Sequence, residues 1–346
     1  MRVGREGGGR VSFPWGVGVA TGVGSLPYVD RDEAARVVVG ELPDFPHLFE
    51  LPRRGAGSDM IGRSAAMLVD LHVDLQPAGW RLVDRPGRDE RSAMSTLRAD
   101  LDALEVAAHG YAGPLKVQVT GPWTLATGLQ RTRGGPVLAD RGARRDIAQS
   151  LAEGIAQHVS EVARRVPGAI IVGQIDEPGL PAALAGSVLT ESGFGRLGAV
   201  PPTEVESLLG AVLAAAGEWP VVHCCDATPP VGLVHRAGAV ALSCDVSVLD
   251  VATLDELATA VDAGIGLWPG VVPALAPDVP RSDLDLVDRL QRLYSRLDQD
   301  PARMIASTVV TPACGLAGAD LGWARAAYAL AVRTGRALAD AVGADR

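Results

Sequence analysis

The chain has 346 residues, 47% of them hydrophobic and 21% charged, which suits one large globular domain or two modest ones. A formal net charge of −9 makes nucleic acid and anionic membranes poor partners. The basic residues are arginines apart from Lys116, so Schiff-base and P-loop chemistry have almost nothing to work with.

The first residues, MRVGREGGGRV, are basic and glycine-rich. Residues 1–11 are expected to be disordered, and no apolar segment of signal-peptide length follows them. Short runs rich in Val and Ile then alternate with longer amphipathic ones. The predicted strands are VGVATGV near 17–23, HLFEL at 47–51, LKVQVT at 115–120 and AIIVGQI at 169–175. They continue with PVVHCC at 220–225, AVALSCD at 239–245, GIGLWP at 264–269 and MIASTVV at 304–310. Most are continuous apolar runs, as expected of parallel strands covered on both faces.

Helices fall between them. The second strand is followed by a helical region over roughly 58–109, interrupted near PAGWRLVDRPG. Later helices open on capping boxes: Thr203 with Glu206, Thr253 with Glu256, and Ser282 with Asp285. This alternation predicts an α/β fold, a (β/α)8 TIM barrel with an insertion after strand two, formed by residues 12–346 as a single domain. The rival is an open doubly wound sheet. Its phosphate fingerprint is spoiled in GVGVATG, where Thr21 replaces the third glycine. No run of about 18 apolar residues occurs, so no membrane helix is expected and a soluble cytoplasmic protein is the default.

Barrel chemistry sits at the C-terminal ends of the strands. His223 and Cys225 end the fifth predicted strand, and alternation puts both on one face with Cys224 on the other. The sixth ends in Cys244 and Asp245, which cannot both face the same way. Cys314 lies just past the eighth. Imidazole, thiolate and carboxylate are ligands that zinc prefers. Each cysteine also has a plain reading as a small buried hydrophobe, and Cys224 is expected to be one. Four cysteines in so long a chain are no secreted disulfide scaffold.

Other polar residues converge on the same end. Ser25 follows strand one, Glu50 strand two, Thr120 and Trp123 strand three, and Asp176 and Glu177 strand four. GSLP and DEP also read as plain turns. Together these residues form an acidic cup. Glu50 and Asp176 suit a substrate amine, and Ser25 suits a carboxylate. An amino acid carrying a thiol satisfies both pairings and the metal.

These motifs resemble the catalytic barrel of the cobalamin-independent methionine synthase family, a single-barrel type within the wider uroporphyrinogen decarboxylase and methionine synthase-like superfamily. The likeness runs over about 16–335, in order: Gly24-Ser25-Leu26-Pro27, Ile175-Asp176-Glu177-Pro178, His223-Cys224-Cys225, Asp245 where the family has Glu, and Cys314-Gly315-Leu316 with Trp323 downstream. The resemblance implies zinc (Zn2+) held by His223, Cys225, Asp245 and Cys314. It also implies homocysteine held at Ser25, Glu50 and Asp176, and methyl transfer to its thiol. FELPRRGAGSDM carries extra residues before Asp59 and Met60, which loosens the match at Glu50. Leu275 stands near the position of the family's strand-seven histidine, its proton donor. A folate leaving group needs that proton, so the donor is expected to be something else, with a methyl-donor protein or a pterin as the partner. Two other readings stand beside this one. The first is a barrel that binds zinc or an amino acid without catalysis, as a sensor or store. The second is a uroporphyrinogen decarboxylase-like enzyme using Arg53 and Arg54.

Overall fold

The computed structural model describes residues 13–344, so the expected disorder of residues 1–11 lies outside the described residues. Helix α1 (Arg31–Glu41) comes first, then α2 (Met60–Ala65), strands β1 (His72–Gln76) and β2 (Gly79–Val83), and α3 (Arg88–Ala107). Strand β3 (Gly113–Thr120), helices α4 (Pro122–Gly128) and α5 (Arg141–Arg165), strand β4 (Ala169–Asp176), and helices α6 (Leu180–Ala185) and α7 (Pro202–Ala215) follow. The chain continues through β5 (Val221–His223), α8 (Val231–Arg236), β6 (Ala241–Asp245), α9 (Val251–Asp262) and β7 (Gly266–Val272). It ends with α10 (Asp283–Arg296), α11 (Pro301–Met304), β8 (Thr311–Pro312) and α12 (Leu321–Ala344).

Strands β3 to β8 form one curled parallel sheet in sequence order. Helices bridge each pair, because parallel neighbours need a long crossover. The register runs Thr120 beside Asp176, Asp176 beside His223, and His223 beside Ser243. The polar residues are therefore level with one another at the C-terminal ends of the strands.

The first two predicted strands appear as isolated parallel bridges rather than extended strands. Ala20 pairs with Val310, Ser25 with Glu50, and His47 with Lys116. Their ladders are short because the first segment is glycine-rich and Pro46 has no N–H to donate. The expected helical region at 58–109 is α2 and α3 separated by the antiparallel β1–β2 hairpin. The stretch PAGWRLVDRPG contains the whole of β2 rather than a mere break. The last predicted strand is displaced. Met304 ends α11, whose start is set by Asp300 as cap and Pro301 at the first position, and pairing begins only at Val310.

One predicted capping box is present: the Ser282 hydroxyl accepts from Asp285 N, and the Asp285 carboxylate accepts from Ser282 N. The other two are shifted. Helix α7 starts at Pro202, which puts Thr203 inside its first turn, and α9 is capped by Asp250, which accepts from Thr253 N.

Two apolar cores flank the sheet. The larger lies under the helices. The smaller gathers Trp15, Phe45, Val172, Val221, Ala241, Trp268 and Val309. Its members on β4, β5 and β6 are two residues apart or level with Gln174, His223 and Ser243 in the alternation, so this apolar plug underlies the polar layer on the same sheet face.

Candidate active site

The imidazole of His223 and the thiols of Cys225 and Cys314 offer atoms that all lie within 4.8 Å of one another. The two sulfurs are 3.4 Å apart. His223 is buried, and its Nδ1 lies 2.9 Å from Ser243 Oγ. Its Nε2 is buried with no hydrogen-bond partner among the described residues. When Nδ1 donates to Ser243, Nε2 keeps a free lone pair, which is how a ligating histidine is oriented. One imidazole and two thiols match the donor set of a zinc site. The orphaned nitrogen and the close sulfur pair fit such an ion better than they fit a dry core.

The two sulfurs are hydrogen-bonded to each other. Their mutual hydrogen bond holds the Cys225 thiol well above its usual range, with burial adding to it, and holds Cys314 well below its own. Cys224, just past the end of β5, is fully buried, and burial pushes its thiol up to about 12. Cys244 is likewise buried among apolar neighbours.

Asp245 does not join the cluster. Its carboxylate accepts from Ser247 N at 2.8 Å and from the Ser247 hydroxyl. Register and alternation put it on the strand face of Ser243 and His223, but its oxygens are turned to the loop that follows.

Ser25, Glu50 and Asp176 lie at the same end of the sheet as the cluster. Ser25 and Glu50 are bridge partners: Leu26 N donates to Glu50 O at 2.8 Å and Glu50 N to Gly24 O at 3.1 Å. Leu316 N donates to Ser25 O at 2.8 Å, which ties the G-S-x-P turn to the C-G-L turn bearing Cys314. A Cβ on Gly315 would sit 2.0 Å from Ser25 Oγ, so only glycine leaves that hydroxyl its place. Asp176 Oδ1 accepts from Gln174 Nε2 at 2.6 Å. Burial, reinforced by Glu50, pushes the Asp176 carboxyl up to about 7, against the pull of His223 and Lys116. Among the described residues, the Glu50 carboxylate and the Ser25 hydroxyl take no side-chain hydrogen bond, so both can receive a ligand.

Two expected members of the cup are committed elsewhere. Thr120 Oγ1 donates to Met60 O at 2.6 Å. The Glu177 carboxylate accepts from Trp123 N, Thr124 N and the Thr124 hydroxyl at 3.0, 2.8 and 2.7 Å, anchoring the start of α4. Trp123 itself is buried. Arg54 is held by Asp100 through bonds of 2.7 and 2.6 Å, while Arg53 is exposed and donates to Ala319 O. The arginine pair is therefore not assembled around a ligand.

Sequence reasoning passed over Ser243, Gln118 and Gln174. The signal was available: Ser243 lies two residues before Asp245, and Gln174 two before Asp176, which the period of a strand places on one face.

A curled α/β sheet with His, Cys and carboxylate side chains at its C-terminal edge defines a barrel-like protein with a candidate metal site. Residues 19–337 match the family model described as cobalamin-independent synthase, catalytic domain. The chain belongs to this family. A search of curated proteins finds no match. Among solved structures, the chain is similar to a B12-independent methionine synthase from Shewanella sp. W3-18-1, solved in complex with selenomethionine. The TM-score is 0.61 at 13% identity, over 95% of this chain and 100% of that one. At that identity the likeness speaks for the fold.

Proposed function

We propose that this chain is a zinc-dependent methyltransferase that delivers a methyl group to the thiol of homocysteine, or of a similar small amino acid, to give methionine. The observation that carries the reading is the convergence of His223, Cys225 and Cys314 within 4.8 Å beside Ser25, Glu50 and Asp176. On this reading those three residues hold the zinc, and Asp245, rotated away from Ser247, is the fourth protein ligand. Zinc lowers the pKa of a coordinated thiol, so the substrate nucleophile exists as thiolate at neutral pH. Glu50 and Asp176 take the substrate ammonium and Ser25 its carboxylate, which aims the sulfur at the donor. The substrate's S–CH3 bond forms as the donor's bond to the same methyl breaks. The Shewanella protein's complex with selenomethionine makes a methionine-type amino acid a sensible probe.

The same reading closes the sheet. The bridges at Ala20, Ser25 and His47 carry the six-strand order round to an eight-membered (β/α)8 ring. The β1–β2 hairpin is then the insertion, and residues 12–346 form one cytoplasmic domain. No helix among the described residues is long and apolar enough to cross a membrane. Leu275, 58% exposed, has no proton to give where the family places a histidine. The donor is therefore one whose leaving group departs without protonation, such as a methylated corrinoid carried by a partner protein, rather than a folate.

Protein purified without chelator should carry roughly one zinc per chain. Cys225→Ser and Cys314→Ser should each reduce that more than tenfold, roughly, and Asp245→Asn by less. Unchanged zinc content in both cysteine variants defeats the metal assignment. If no methionine forms from homocysteine with methylcobalamin, methyl-folate or simple methyl donors, the transfer assignment fails. The apolar Leu275 favours one second reading, a sensor or store. Homocysteine or methionine binding by calorimetry without turnover would support it.

A further inference from the structure

Lys116 is the sole lysine among 32 basic residues, and it is fully buried on β3 beneath the site just described. Its Nζ donates to Val23 O at 2.6 Å and to Gln118 Oε1 at 3.1 Å. Gln118 in turn donates from Nε2 to Leu48 O at 2.6 Å, and Gln174 donates a second bond to Val23 O at 2.9 Å. Val23 lies two residues before Ser25, and Leu48 two before Glu50. These two segments pair with their neighbours only through isolated bridges, supported by Leu316 N on Ser25 O, His47 Nδ1 at Leu48 O and Arg63 Nη1 on Phe49 O. A buried ammonium forms no ordinary packing contact. It is costly unless its bonds are made, so a lysine here needs a reason.

Its charge is not consumed by the nearby acids. Burial pulls the Lys116 ammonium down to about 7, while Asp176 and Glu50 favour its charged form, and neither carboxylate makes an ion pair with it among the described residues. Both carboxylates stay available. An arginine would bring a larger, planar head with five donors into a site that offers two acceptors. A lysine supplies a compact charge that fits between the two carbonyl-bearing segments.

We propose that Lys116 is a positioning residue for amino-acid recognition: through Val23 O directly, and through Gln118 to Leu48 O, it sets Ser25 and Glu50 at the separation of an α-carboxylate and an α-ammonium. This rests on the reading of Ser25 and Glu50 as substrate contacts. It assigns selectivity for the amino-acid end of the substrate to a residue that never touches it.

The test compares Lys116→Met with the parent protein in zinc content and in calorimetric affinity for three thiols. These are homocysteine, 3-mercaptopropylamine, which lacks the carboxylate, and 4-mercaptobutanoate, which lacks the amine. The parent should prefer homocysteine over both truncated thiols. Lys116→Met should keep its zinc, bind the truncated thiols as the parent does, and lose homocysteine affinity by roughly tenfold to a hundredfold. An unchanged preference, or an equal loss for all three thiols, overturns the proposal. A parent that shows no homocysteine preference instead defeats the underlying substrate assignment, whatever the variant does. Should Lys116→Met not fold, Gln118→Met reports the same strut from its far end. It should weaken homocysteine while sparing both truncated thiols. Failure of both variants to fold makes Lys116 a folding residue and ends the proposal.

Discussion

Gly315 shows how one missing side chain can join two distant motifs. The space where its Cβ would stand is filled by Ser25 Oγ, and the next residue's N–H binds Ser25 O. The backbone at Gly315 has no positive φ, so alanine is conformationally acceptable and its effect falls on Ser25. Gly315→Ala should therefore retain zinc yet raise the homocysteine dissociation constant about tenfold, the scale of one lost hydrogen bond to a charged group. Metal analysis beside calorimetry checks this, and an unchanged affinity would remove Ser25 from the substrate site. At this scale much of the site is legible in the sequence. Strand alternation alone separates Cys225 from Cys224, and the buried position of Cys224 agrees. The commitment of Glu177 to the start of α4 is not legible, because its partners at 123 and 124 are distant in the chain.

Elements answer to their ends. Ser282 caps α10 with Asp285 as expected, but Thr203 and Thr253 do not cap α7 and α9. All three have a carboxylate three residues on, so pattern alone cannot separate them. The deciding feature lies just upstream. Proline at 202 suits the first helical position and starts α7 before Thr203, while Asp250 competes successfully for the end of α9. Ser282→Ala should cost about 1 kcal/mol in urea denaturation, and Thr203→Ala less than about half of that. Equal losses would contradict the observed caps. The same competition explains the eighth predicted strand, part of which the Asp300–Pro301 start converts into α11.

Across the whole molecule, buried ionisable groups couple stability to pH. Burial brings His158 down to about 3, with Arg63 adding to it, and its Nε2 has no partner among the described residues. Its folded-state pKa lies below the unfolded value near 6.5, so the unfolded chain binds the extra proton. Stability from the neutral ring is complete above that value and is lost as pH falls toward 3. Burial puts His47 in the same position, with Tyr328 OH 2.8 Å from its Nε2. Asp176 acts oppositely: its raised pKa favours the folded state at low pH and withdraws that contribution as pH rises toward about 7. Opposed slopes partly cancel in the parent, so the informative quantity is a difference. His158→Leu should gain on the parent by up to about 1.4 kcal/mol per pH unit as pH falls below about 6.5. Urea titrations at several pH values measure this. A difference that does not vary with pH would mean His158 is protonated in the fold.

By itself the sequence determined the α/β class, the order of the strands from 113 onward, and the gathering of His223, Cys225 and Cys314 at one end of the sheet. Those follow from apolar periodicity and from side-chain alternation, both local properties of the chain. The tertiary structure alone decided which polar residues meet. Asp245 turns to Ser247, Thr120 to Met60 and Glu177 to α4, and Lys116 braces two segments that precede it by many residues. Each buried polar atom takes the partner that packing brings within about 3 Å, and that choice depends on where distant strands sit in the sheet, which no short motif records.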